Sequence, residues 1–169
     1  MTTITELITL ARARLKDAQI LFAAKRYDAA TYLCGYAIEL ALKARICQTL
    51  GWTCFPETNK EFIRLTCEII EKSIKSKRFH KLYNINQNDF CDVYEKYFQN
   101  HRFLKVHDLK TLLKFSGVEE KVRLNFYTEW TLVSDEWSPE NRYRKIGTET
   151  KLSAQAMLDA VEKLLTIIL

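Results

Sequence analysis

A chain of 169 residues can bury one sizeable core but leaves too little length for a second full domain, so a single domain over residues 1–169 is expected. Only four glycines and two prolines punctuate it, which argues against a turn-rich sandwich or barrel and suits long helices joined by few loops. The formal charge of +5, from 26 basic and 21 acidic side chains, permits an acidic partner without requiring one.

Thr3-Ile4-Thr5-Glu6 has the spacing of a capping box, and Ile4, Leu7, Ile8, Ala11, Leu15, Ala18 and Phe22 follow at helical period. A first helix over Ile4–Lys25 is therefore predicted. The connection at Arg26-Tyr27 is so short that a second helix must return antiparallel beside it. That second helix, Ala29–Leu50, is the centre of the chain. Between Ala29 and Leu42 only Thr31 and Glu39 are plainly polar, so neighbours are expected on most of its circumference. Asp28 is the expected N-cap and Gly51 the left-handed stop. Glu39 and Lys43 lie four apart in the favourable order and are expected to pair.

Beyond Gly51, a weaker helical pattern over Thr58–Lys77 uses Phe62, Leu65, Ile69 and Ile70. Phe79–Asn88 has no clear period, and Asp89–Gln99 suggests a short helix with Phe90, Val93, Tyr94, Tyr97 and Phe98 as its apolar set. The sharper pattern HDLKTLLKFSG, from His107 to Gly117, places Leu109, Leu112, Leu113 and Phe115 on one side of a helix that Gly117 ends. One helix is then expected over Val118–Ser134, carrying Val122, Leu124, Phe126, Tyr127, Trp130 and Val133, until Trp137-Ser138-Pro139 breaks it. After a loop of roughly a dozen residues, the last helix begins near Leu152 with Met157, Val161, Leu164, Leu165 and Ile168 at core spacing. The fold class expected is all-α, an up-down antiparallel helical bundle.

The five cysteines, at 34, 47, 54, 67 and 91, form no CxxC pair and no zinc-type spacing, and their number is odd. They read as reduced thiols in a cytoplasmic protein. No leader pattern opens the sequence, and no apolar run reaches the roughly 18 residues that span a bilayer, so no membrane is expected. His80, His101 and His107 have no metal-ligand spacing, and no glycine-rich phosphate loop, carboxylate pair or Ser/His/Asp set stands out; neither a metal nor another cofactor is expected.

Three landmarks in order resemble the HEPN superfamily of small helical bundles. Tyr36-Ala37-Ile38-Glu39-Leu40-Ala41-Leu42-Lys43-Ala44 is similar to that family's second helix with its paired Glu and Lys. His107-Asp108-Leu109-Lys110-Thr111-Leu112-Leu113 is like its HDLxxLL segment, and Asn141-Arg142-Tyr143 is like its late Arg-Tyr. Against compact members, residues 57–105 look like an inserted helical segment. The resemblance implies a homodimer, with a nucleotide, RNA or a small nucleotidyltransferase as partner.

Members that cut RNA carry an Arg and a His separated by four to six residues, and Arg102 and His107 have that spacing, although Phe103 stands where the family usually has a polar residue. A histidine can move the proton of a ribose 2′-hydroxyl or a leaving oxygen, and an arginine can stabilise charge on the phosphate, without a metal. Three functions follow: a non-catalytic nucleotide- or RNA-associated binding or partner module; a metal-independent endoribonuclease of the toxin-antitoxin or phage-defence kind; and a structural protein-interaction module using residues 57–105. Arg142 either contacts a phosphate or forms an ion pair with Glu39, and Tyr143 is expected as a packed aromatic with its hydroxyl at the rim. Lys72, Lys75, Lys77, Arg78 and Lys81, interleaved with Phe79, His80 and Tyr83, form either a nucleic-acid footprint or a solvated helix face.

Overall fold

A computed structural model describes residues 2–58, 60–62, 64, 65, 67, 68 and 107–169. The fold is all-α, with one sheet of two short strands among the described residues. Helix α1 spans Ile4–Ala23 and begins with the expected capping box: Thr3 Oγ1 accepts the Glu6 amide at 3.3 Å, and the Glu6 carboxylate accepts the Thr3 amide at 2.8 Å. Strand β1, Thr2–Thr3, pairs antiparallel with β2, Cys54–Phe55, and so ties the start of α1 to the segment that follows α2.

The turn between α1 and α2 (Tyr27–Leu50) differs from expectation. Lys25 sits in the left-handed region at φ 60°; its amide reaches the Phe22 carbonyl and the Arg26 amide the Leu21 carbonyl, each at 2.9 Å. This paired closure normally uses glycine. It delivers the chain into α2 early, so the helix starts at Tyr27 with Arg26 as an N-cap that makes no side-chain bond. Asp28, expected as the cap, lies inside the first turn. Its carboxylate instead accepts the amides of Gly147 at 2.8 Å and Glu149 at 2.9 Å.

Helix α2 ends as its sequence indicates. Gly51 adopts φ 71°, with Trp52 N–H on the Cys47 carbonyl at 2.8 Å and Gly51 N–H on Gln48 at 3.4 Å. Almost every residue from Ala30 to Cys47 is buried or half-buried, and Ile38, Leu42 and Ile46 are wholly enclosed. The helix packs most extensively on α1, then on α6 and α3, defined below, which makes it the centre of the bundle. A capping box at Thr58 and Glu61 opens helical backbone at the described residues 60–68, where Phe62 and Leu65 are buried and Phe62 meets Trp52 edge-on at 5.3 Å. The expected continuation through Ile69, Ile70 and Lys77, the Phe79–Asn88 stretch and the Asp89–Gln99 helix lie outside the described residues.

Helix α3, Leu109–Ser116, is capped by Asp108, whose carboxylate accepts the Lys110 amide at 3.0 Å and the Thr111 hydroxyl at 2.5 Å. Gly117 ends it at φ 73° as expected, while Phe115 is partly exposed rather than on the buried side. The helix expected over Val118–Ser134 is two: α4, Glu119–Asn125, and α5, Tyr127–Glu136, separated by Phe126 at φ −138°, ψ 33°. Hydrogen bonds bracket this break, Phe126 N–H to Val122 and Trp130 N–H to Phe126, both at 2.8 Å. The kink leaves Val122, Trp130 and Val133 buried and turns Leu124 and Tyr127, apolar positions of the single expected helix, out to solvent. A 3₁₀ turn over Pro139–Tyr143 leads towards α6, Lys151–Ile168, which starts one residue from the expected point behind a Thr150 cap. Met157, Val161, Leu164, Leu165 and Ile168 are all buried. Among the described residues no helix is long and apolar enough to cross a membrane.

Candidate functional site

Glu39 is 1 % exposed, the deepest charged side chain among the described residues, and it points from the middle of α2 into the packed face. A carboxylate removed from water must be paired and hydrogen-bonded. One turn on, Lys43 supplies its ammonium to Oε1 at 2.5 Å, as the four-residue spacing indicates. The second partner comes from 68 positions away: His107 Nδ1 lies 2.9 Å from both Oε1 and Oε2. A carboxylate only accepts, so Nδ1 carries the proton and donates. This corrects the expectation that Arg142 completes the ion pair with Glu39: both oxygens face His107, and the Arg142 guanidinium lies over its neighbour Tyr143, 4.9 Å from the ring centre.

The three residues His107-Asp108-Leu109 thus divide three tasks. His107 turns back to α2, Asp108 caps α3, and Leu109 enters the core. Fixing Nδ1 on a buried acceptor sets the ring's tautomer and orientation. The rest of the ring is open, the side chain being 55 % exposed, and among the described residues nothing bonds Nε2. It borders a cleft of about 420 Å³ between His107 and Asp108 on one side and Ser134, Ser138, Glu140 and Arg142 on the other.

The far wall of the cleft is held by Trp137, whose indole N–H donates to the Tyr32 carbonyl of α2 at 2.9 Å. The ring lies so close over Gly35 that a Cβ there would sit 2.0 Å from Trp137 Cγ. This use of glycine inside a helix leaves no trace in the local pattern. Asn141 donates to the Glu136 carbonyl at 2.8 Å, closing the turn that carries Arg142. Tyr143, expected as a packed aromatic, is 77 % exposed because the 3₁₀ turn directs it outward.

The chemistry available is that of an oriented imidazole and an arginine in an open groove. Burial pushes the thiols of Cys34 and Cys47 up to about 12, so neither is a nucleophile at neutral pH. Among the described residues no three His, Cys, Asp or Glu side chains gather as a metal site needs. Arg102 and the cations Lys72, Lys75, Lys77, Arg78 and Lys81 lie outside the described residues, as do Phe79, His80, Tyr83, Cys91 and His101.

Compared with known proteins, the chain matches the family model of the HEPN domain over residues 4–92. No curated protein and no solved structure matches it. The matched part holds α1, α2 and the Glu39–Lys43 pair; His107, Arg142 and Tyr143 lie beyond it. With more than half of its length matched and an all-α bundle built on that pair of helices, the chain belongs to the HEPN family.

Proposed function

We propose that this HEPN bundle is an RNA- or nucleotide-associated module whose binding surface is the cleft between His107 and Arg142. The observation that carries it is the ring of His107, oriented through Nδ1 by a buried carboxylate and open to a cleft that Arg142 shares. The Arg142 guanidinium is a donor to phosphate oxygens, and the His107 Nε2 left open by the bond to Glu39 is an acceptor for a ribose hydroxyl. Family membership supports the same ligand class, and a homodimer with a small nucleotidyltransferase as partner is the assembly that goes with it. RNA or a nucleotide should raise the melting temperature of the purified chain, and His107→Ala and Arg142→Ala should each reduce that shift. Absence of any shift for both ligands would remove this function.

The Glu39–His107 contact also favours a second function, a metal-independent endoribonuclease of the toxin-antitoxin or phage-defence kind. A ring held through Nδ1 by a carboxylate has Nε2 free to take the 2′-hydroxyl proton or return one to the leaving oxygen, with Arg102 as the charge-stabilising partner. RNA cleavage in EDTA that His107→Ala abolishes without loss of fold is the expected result. Cleavage surviving that substitution excludes it, and a chain that neither cleaves nor binds would be an interaction module.

A further inference from the structure

A second cleft, of about 520 Å³, lies at the corner where α1 hands over to α2, against the segment that leads into α6. Four cations line it: Lys25 and Arg26 from the helical turn, Arg142 and Arg144 from the facing segment, all exposed. Its two carboxylates are already engaged. Asp28 accepts the Gly147 and Glu149 amides, one on each oxygen, while Glu149 accepts the Ser153 hydroxyl at 2.7 Å and faces Arg144 at 3.9 Å. The wall therefore has a net excess of two positive charges, with its acceptors turned to the protein. Tyr27 also lines it, and its ring is steadied by Phe22 at 5.5 Å, so it forms a fixed aromatic surface beside the cations.

Arg142 lines this cleft and the His107 cleft alike, so the two adjoin. We propose that they form one track for single-stranded RNA, in which Lys25, Arg26 and Arg144 hold the phosphodiester backbone, Tyr27 stacks a base, and Arg142 passes the strand on to His107. Spaced cations with an aromatic platform suit a strand that presents phosphates and ring faces alternately. A mononucleotide fills only one of the two clefts, and an acidic peptide brings no base for Tyr27. The inference rests on the RNA-binding function above and names where the strand lies.

The test is binding of a labelled 2′-O-methyl oligoribonucleotide of about ten nucleotides to the full chain over a range of salt, followed by fluorescence anisotropy. The 2′-O-methyl group blocks cleavage through that oxygen. Arg26→Gln with Arg144→Gln should weaken binding about tenfold and lower the slope of log affinity against log salt by about 1.4, since each single-strand phosphate contact contributes about 0.7. Lys16→Gln with Lys121→Gln, two exposed cations that line neither cleft, should leave the affinity within about twofold. Retained secondary structure and melting temperature in both double variants keep the comparison fair.

If wild type binds but the Arg26/Arg144 variant binds equally well with the same slope, the track is wrong while the His107 cleft stands. If wild type does not bind at all, the track falls and so does RNA as the ligand of the His107 cleft, while its nucleotide binding is decided by the melting-temperature test. Equal competition by AMP or by a polyglutamate of matched charge also overturns the track, because neither could span it.

Discussion

At the scale of single residues, Glu39 and His107 make unequal contributions that a stability measurement separates. Glu39 is enclosed and serves two donors, one of them the Lys43 ammonium in a side chain only 16 % exposed. Glu39→Ala takes the carboxylate away from that ammonium, which also lies 5.3 Å from the centre of the Phe55 ring, and should destabilise the fold by about 3 kcal/mol. His107→Ala removes a half-open ring and leaves Glu39 paired with Lys43, so the expected loss is about 1 kcal/mol or less. Urea denaturation of both variants gives the comparison; equal losses would mean that the carboxylate depends as much on the histidine as on the lysine. The Glu39–Lys43 pair is legible in the sequence because helical geometry fixes four-residue neighbours. The partnership with His107 is not, because no local rule brings together residues 68 apart, and the choice between His107 and Arg142 is made by how α3 docks on α2.

At the scale of elements, the capping box at Thr3 and the stops at Gly51 and Gly117 were the most legible features, since each acts through neighbours within a few positions. The start of α2 is set by the left-handed closure at Lys25, which no glycine announces, and the break at Phe126 leaves Val122, Trp130 and Val133 buried. Gly35 is instead set by a residue distant in the chain, in a form that substitution can read. Gly35→Ala favours the helix by about 1 kcal/mol in an open position. Here the new methyl meets the indole of Trp137, and the ring must leave, losing its bond to Tyr32. A net destabilisation of about 2 kcal/mol and a red-shifted tryptophan emission are expected. An unchanged stability would show that the wall of the His107 cleft can move aside freely.

The tether from α2 to the 147–149 segment has a defined pH dependence. The amides of Glu149 and Gly147 hold the Asp28 carboxyl below its ordinary range. Its stabilising effect is therefore complete above the unfolded aspartate value of about 4, and disappears as pH falls through the lower folded value. The Gly147 and Glu149 amide resonances should titrate together with a midpoint below about 4. Titration of only one of them would mean that the two bonds do not open as a unit.

At the scale of the whole molecule, α2 is the helix on which α1, α3 and α6 meet, so damage at its centre should be felt across the bundle. The three tryptophans report from separate places: Trp52 after α2, Trp130 in α5 and Trp137 over Gly35. If the chain is one cooperative domain, far-ultraviolet circular dichroism and tryptophan fluorescence should give coincident urea transitions. Ile38→Ala, at a side chain with no exposure, removes contacts at the centre of that helix and should cost about 3 kcal/mol. The shifted transitions should still coincide, because the buried side chains of the described helices form one cluster. Two separated transitions would instead identify a unit that folds apart from α2, and truncation on either side of residues 57–105 would then locate it.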